Sequence, residues 1–326
     1  MASAIAGGRK NDGLYGKLVV LLGGSGFFGR HLAQELLSRG ARLRIVSRNP
    51  ERAFSLKPLA ALGQIQFGRG DVTRTETLPS LLAGADAVVN LVGAFAGDLD
   101  ALQGEGAGKI AAAARAAGAG AFVHVSANGA DAGSSADYAR TKAEGEAAVL
   151  AAFPAATILR PSILFAGDDK FVNMFARLIA ALPALPVFGP AAQLQPVFVD
   201  DAAEAAVLAL SAPETHGGKT YVLAGPEVLT MLELNERIAA AQGRRRAFFP
   251  LPDAVSGAIA TATGWAPGAP LSRDQWALLK AGNIADPKLP GLKAFGITPR
   301  PLGLFLDRWM VRFRKHGRFG AKVAAR

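Results

Sequence analysis

Two groups of residues have the types and spacing to do chemistry. In GGSGFFG, Gly23, Gly26 and Gly29 recur every third position, with Phe27 and Phe28 between the last two. A glycine permits the tight turn at Gly23, and the missing side chain at Gly26 lets a large anion reach the backbone. With Gly29 allowing close helix packing, free N–H groups and a helix dipole would face a pyrophosphate. The second group is Tyr138 and Lys142. One helical turn apart, they face the same side, so the ammonium can lower the phenol pKa and bond a ribose hydroxyl. Ser126 can add a third hydroxyl. Taken singly, the triplet could be an ordinary loop and the Tyr/Lys pair an ordinary exposed helix face. Their positions along the chain argue for more.

The elements that must hold them follow from hydrophobic patterning. KLVVLL at 17–22 is too short for a helix and reads as a buried strand, directly before the glycines. RHLAQELLSRG at 30–40 then reads as an amphipathic helix stopped by Gly40. Further strands are expected at 43–47, 65–69, 87–91, 121–126 and 157–160, with Ala-rich helices at 106–117 and 138–153. Strands alternating with helices imply an α/β fold: a doubly wound parallel Rossmann sheet with a smaller C-terminal substrate lobe. We expect a loose leader at 1–15 and the nucleotide-binding domain at 16–165, completed by about 199–225. The lobe would take 166–198 and 226–303, and a basic amphipathic tail 304–326.

Open α/β sheets bind ligands at the carboxyl ends of their strands. There the second strand ends in Ser47-Arg48-Asn49, where an NAD-preferring site would place a carboxylate. Arg48 could meet a 2′-phosphate instead, with Arg30 a second candidate, which favours NADP(H) over NAD(H). Asp71 and Val72 follow the third strand and could reach the adenine. Asn90, Val92 and Gly93 follow the fourth and would run past the ribose.

GGSGFFG, the Asn90–Gly93 stretch, Ser126 and YARTK resemble an extended or atypical short-chain dehydrogenase/reductase. HVSANGAD, YARTKAEGEAAV, ILRPSILFAGDDKFVNMFA, LQPVFVDDAAEAA and the closing RFRKHGRFG sharpen this. Together they resemble bacterial relatives of the NADPH-carrying accessory subunit of respiratory complex I, across about residues 17–320. The resemblance maps Tyr138 and Lys142 onto the family's catalytic tyrosine and lysine, and the three glycines onto its phosphate loop. Either Ser126 or Asn128 takes the place of its serine. It also implies NADPH bound tightly without turnover.

Composition narrows the classes. Half of the 326 residues are apolar and 19% charged, so the chain is globular. With no cysteine and four scattered histidines, a metal site is not expected. The start has no signal-peptide core, so a cytoplasmic protein is expected, peripheral on the inner membrane if its tail docks there. Of the net +10, seven cations lie from Arg308 onward with no acid among them. Leu304, Phe305, Trp309, Met310 and Phe313 interleave with those cations, a pattern suited to an anionic membrane, a complex I partner or the protein's own core. RRR at 244–246 beside Phe248 and Phe249 looks strand-like and lacks any nucleic-acid recognition motif, so no nucleic acid is expected. Three roles remain open: a non-turning-over NADPH scaffold or assembly factor, an NADPH-dependent oxidoreductase on an apolar quinone- or isoprenoid-like substrate, and a redox-sensing regulator.

Overall fold

The short apolar runs at 18–22, 87–90 and 121–125 are buried on both faces, which suits the interior strands of a parallel sheet, while the run at 65–69 is only partly buried. A computed structural model describes residues 13–264 and 271–319. The strands are β1 (Leu18–Leu22), β2 (Arg42–Ser47), β3 (Ile65–Arg69), β4 (Ala87–Asn90), β5 (Ala121–Val125), β6 (Thr157–Pro161) and β7 (Thr220–Leu223). They form one parallel sheet in the order β7-β6-β5-β4-β1-β2-β3. Leu22 pairs with Val46 of β2 on one side and with Asn90 of β4 on the other. The direction of winding reverses between β1 and β4, which opens a crevice at their carboxyl ends.

The longer helices are α1 (Phe27–Ser38), α2 (Glu105–Ala116), α3 (Asp137–Ala152), α4 (Phe171–Ala181), α5 (Val199–Ser211), α6 (Met231–Ala241), α7 (Asp253–Thr263), α8 (Arg273–Ala281) and α9 (Gly303–Trp309). One face of the sheet packs on α1 and α5 through Leu32, Leu36, Ala202 and Ala206. The other packs on α2 and α3 through Ile110, Ala111 and Val149. The small residues of α2 and α3 have a packing reason. A Cβ on Gly108 would lie 2.8 Å from that of Ala148, and one on Gly145 would strike the carbonyl of Gln103.

In the second half, β7 completes the sheet beside β6, and three two-stranded pairs brace the remainder. Leu164–Phe165 pairs with Val197–Phe198, and Gln193–Leu194 with Leu229–Thr230. Ala184–Val187 pairs with Ala247–Pro250. Arg244 to Arg246 precede that last strand and do not form part of it. Their guanidiniums are put to structural use, Arg244 on the carbonyl of Phe313 and Arg246 on that of Ile179.

The C-terminal segment differs from a free amphipathic tail. Leu302, Leu306 and Met310 are buried. Phe305 stacks on Phe198 at 4.2 Å and on Trp309 at 4.9 Å. Arg312 donates to the carbonyl of Gly167 at 2.6 Å, and Arg314 to that of Ala241 at 3.0 Å. Phe305, Trp309 and Met310 of the apolar face are therefore held by the molecule itself, on an aromatic bed of Phe165 and Phe198, while Leu304 is exposed. Residues 1–12 of the expected leader and 320–326 of the expected tail, with Lys322 and Arg326, lie outside the described residues.

Candidate nucleotide-binding and catalytic site

The glycine loop fills the turn between β1 and α1. Gly23 has φ +80°, a left-handed conformation that favours glycine, and a Cβ there would press on the Leu91 backbone at 3.2 Å. Gly29 is fixed by packing, since its Cβ would lie 2.6 Å from the backbone of Gly24. Gly26 differs. Its Cβ would meet only the Gly23 carbonyl oxygen, at 3.2 Å, so a side chain there would project into the crevice. Gly26 is also the N-cap of α1, and no side chain caps that helix. Phe27 and Phe28 follow as its first two residues, so their amides belong to the uncapped first turn that attracts anions.

At the end of β2, Arg48 is exposed and has no hydrogen bond or ion pair, while Ser47 Oγ is buried without a partner. The nearest downstream carboxylate, Glu51, is drawn off into an ion pair with Arg69. Asp71, beyond β3, accepts bonds from the Thr73 hydroxyl at 2.8 Å and the Thr73 amide at 3.1 Å. These bonds chiefly hold its carboxyl below the usual range, with Arg48 and Arg74 adding to the effect. Val72 beside it is buried. Arg30, by contrast, is committed elsewhere: it donates to the Asp168 carboxylate at 3.1 Å and to the Ser25 carbonyl at 3.3 Å. Of the two arginines, only Arg48 is left free at this edge.

The polar residues on β4, β5 and α3 converge beneath the same crevice. Lys142 is buried, and its Nζ donates to the carbonyls of Val125 at 3.1 Å and Val92 at 3.3 Å. Burial pushes its pKa down to about 8. Gly93 gives it room, since a Cβ there would sit 3.1 Å from Nζ. Asn90 accepts from the Val92 amide at 3.1 Å and donates to His124 Nδ1 at 3.2 Å. That bond leaves the His124 proton on Nε2, which has no partner, and burial drives the ring well below its ordinary pKa. Gln103 joins the group by donating to Thr141 Oγ1 at 2.9 Å and accepting from the Ala94 amide at 3.1 Å.

Ser126 is buried and its hydroxyl has no partner. Asn128, its rival for the third position, instead donates to Asn283 Oδ1 at 3.1 Å and to the Ile284 carbonyl at 2.9 Å. Tyr138 is half-buried, with Phe95 stacked on its ring at 4.3 Å and Asp274 accepting from its amide at 3.3 Å. Burial pushes the phenol up to about 12. Phe95, Gln103 and His124 escape the sequence reading because each meets its partner across a long stretch of chain.

The donor set fits a dinucleotide. An uncapped helix start lies over an open glycine cradle, and two buried hydroxyls, on Ser47 at the end of β2 and Ser126 after β5, lack partners. No group of His, Asp and Glu among the described residues could hold a metal ion. No described helix is long and apolar enough to cross a membrane.

Comparisons with known proteins bear on the family and the fold. The NAD(P)H-binding family model matches residues 23–175. The chain is 30% identical over 308 residues to NADH dehydrogenase [ubiquinone] 1 alpha subcomplex subunit 9 of Mus musculus, covering 91% of this chain and 80% of the relative. It is 34% identical over 192 residues to the ceramide reductase of Caulobacter vibrioides, covering 57% of this chain and 58% of that one. The Citrobacter triphenylmethane reductase, solved with NADP(H), superposes with a TM-score of 0.71 at 20% identity, covering 89% of this chain and 99% of that one. The strand-end constellation and the extent of this similarity lead to one assignment: the chain belongs to the NAD(P)H-binding, short-chain dehydrogenase/reductase-like family that includes the alpha subcomplex subunit 9 proteins.

Proposed function

We propose that the protein holds NADP(H) at the β1/β4 crevice and serves as a structural or assembly component for a respiratory complex I. It would act from the cytoplasmic side, at or near the inner membrane. The observation that carries the holding role is the covered tyrosine. Phe95 stacks on the ring of the half-buried Tyr138 at 4.3 Å, and burial raises the phenol pKa, away from the neutral range in which a general acid works best. The complex I association rests on likeness to alpha subcomplex subunit 9 along most of the chain. The NADP(H) preference rests on Arg48, which stands free where a carboxylate would repel a 2′-phosphate. In this reading Gly26 and the start of α1 bind the pyrophosphate, Lys142 and Asn90 the nicotinamide ribose, and Asp71 and Val72 the adenine.

A second reading is favoured by Ser126. Its buried, unpartnered hydroxyl follows Val125, whose carbonyl accepts from Lys142, as a carbonyl-reducing site needs, and one relative is named a ceramide reductase. When bound, the nicotinamide supplies hydride chemistry. Ser126 would orient a carbonyl oxygen, Tyr138 would give it a proton, and Lys142 would ease that transfer.

Mass spectrometry of nucleotide extracted from purified protein, NADPH oxidation with short-chain quinones, and affinity capture from cell extract test both. The first reading expects retained NADP(H), no substrate-dependent oxidation and co-captured complex I subunits. Turnover that disappears in Tyr138→Phe makes the second reading the right one. Retained NAD(H) overturns the cofactor assignment.

A further inference from the structure

Of the fourteen exposed large apolar side chains among the described residues, six fall between residues 174 and 255, and all of these but Val228 lie on α4 and its C-cap, the Ala247–Pro250 strand and the start of α7. Met174, Leu178 and Leu182 recur every fourth residue along the outer face of α4 and its C-cap, opposite the buried Val172, Ala176 and Ile179. The chain then enters the Ala184–Val187 strand, whose Pro186 pairs with the outward-facing Phe249. Val255 follows at the start of α7. The bond from Arg246 to the Ile179 carbonyl ties the basic run to the last turns of α4, so helix and strand pair present one surface.

The charge along α4 and the Ala247–Pro250 strand is positive, with Asp168, Asp169 and Asp253 standing at its ends. No Asp or Glu occurs between Lys170 and Val199, nor between Arg237 and Pro252. Those stretches carry Lys170, Arg177, Arg237, Arg244, Arg245 and Arg246, of which only Arg237 has an acidic partner. Arg177 and Arg245 are exposed and form no ion pair. Arg177 lies on the turn between Met174 and Leu178, so its stem can lie along apolar surface while its head reaches outward.

We propose that the α4 face and the Phe249 edge form a docking surface for an anionic phospholipid bilayer, with the protein lying on the membrane and not crossing it. An apolar stripe on α4 bordered by the unpaired cations Arg177 and Arg245, with Asp253 at its far end, matches acyl chains below a layer of negative headgroups. The Phe305–Met310 stretch, stacked on Phe198 and buried at Leu306 and Met310, is not the docking element. This goes beyond nucleotide binding and does not depend on it.

The test is cosedimentation of the full chain with phosphatidylcholine vesicles, with and without roughly a third phosphatidylglycerol, at about 0.15 M salt. Binding is expected to the anionic vesicles and to be at least about tenfold weaker without the anionic lipid. Leu178→Ser with Phe249→Ser, and separately Arg177→Glu with Arg245→Glu, should each lower partitioning by about tenfold. All four positions are exposed, and an unchanged thermal transition would show that each variant folds. Arg308→Glu with Lys315→Glu, in the C-terminal segment, should leave partitioning within about twofold. The proposal is overturned if the wild type ignores anionic vesicles or binds both kinds equally. It is also overturned if the C-terminal variant costs as much as the surface variants, or if the surface retains only an acidic protein and no vesicles.

Discussion

The carboxyl edge of the sheet and the C-terminal segment are both rich in residues with binding chemistry, yet they use them in opposite ways. At the sheet edge, groups are left open: an uncapped helix start, a free Arg48, and hydroxyls on Ser47 and Ser126 without partners. In the C-terminal segment they are turned inward: Phe305 and Trp309 stack on the core, and Arg312 and Arg314 close on backbone carbonyls. An unsatisfied buried polar group costs stability, so its persistence at one edge marks a place kept ready for a ligand. A cation on a carbonyl is already in use. Motif richness alone does not distinguish the two; the state of the partners does.

The sharpest way to break the contrast is to disturb the inward-turned segment. Trp309→Ala removes a ring stacked on Phe305 and set against Gly167, and should cost roughly 3 kcal/mol, read from the urea midpoint. A change under about 0.5 kcal/mol would mean that the segment is peripheral after all. In the glycine loop, Gly29→Ala drives a methyl against the Gly24 backbone and should destabilise the fold by roughly 2 kcal/mol, whether or not nucleotide is present.

Arg48→Asp is smaller and specific. It should weaken NADPH about tenfold, roughly 1.4 kcal/mol, while sparing NADH, as measured by calorimetric titration. Equal losses for both cofactors would remove Arg48 from the 2′-phosphate.

The smallest expected effect concerns His31 on α1, which bonds Asp200 at 2.7 Å and Asp168 at 3.1 Å. Desolvation lowers its pKa, but the two carboxylates outweigh that and raise it above 6.5. A raised folded-state pKa gives stability that is fully present below the unfolded value. That stability is lost as pH rises through the folded one. With both carboxylates half-exposed, this amounts to under about 1 kcal/mol. His31→Gln should abolish that slope, checked by urea melts from acid to alkaline pH. A slope that survives the substitution assigns it to another group.

Much of this contrast was legible in the sequence on one side only. Short apolar runs such as KLVVLL could be read as strands because a parallel strand buried on both faces needs little more than length and hydrophobicity. The positions of the glycines between β1 and α1, of Arg48 after β2 and of Tyr138 and Lys142 on one helix were legible because they depend on local spacing. Arg30 was not: the Asp168 that engages it lies 138 residues away. Phe95 over Tyr138 and Asn90 against His124 were equally invisible, since sheet order decides those meetings. The C-terminal segment stayed open for a different reason. An amphipathic period is the same whether the apolar face meets a membrane or its own core. Only the Phe165 and Phe198 bed decides between them.

The claim that the open edge is a dinucleotide site is tested most directly at Gly26, the one glycine of the triplet whose side-chain position faces the crevice. Calorimetric titration of NADPH into Gly26→Val should show affinity reduced by a hundredfold or more, roughly 3 kcal/mol, with the thermal transition close to that of the wild type. Undiminished NADPH binding in a folded Gly26→Val protein would contradict the placement of the site.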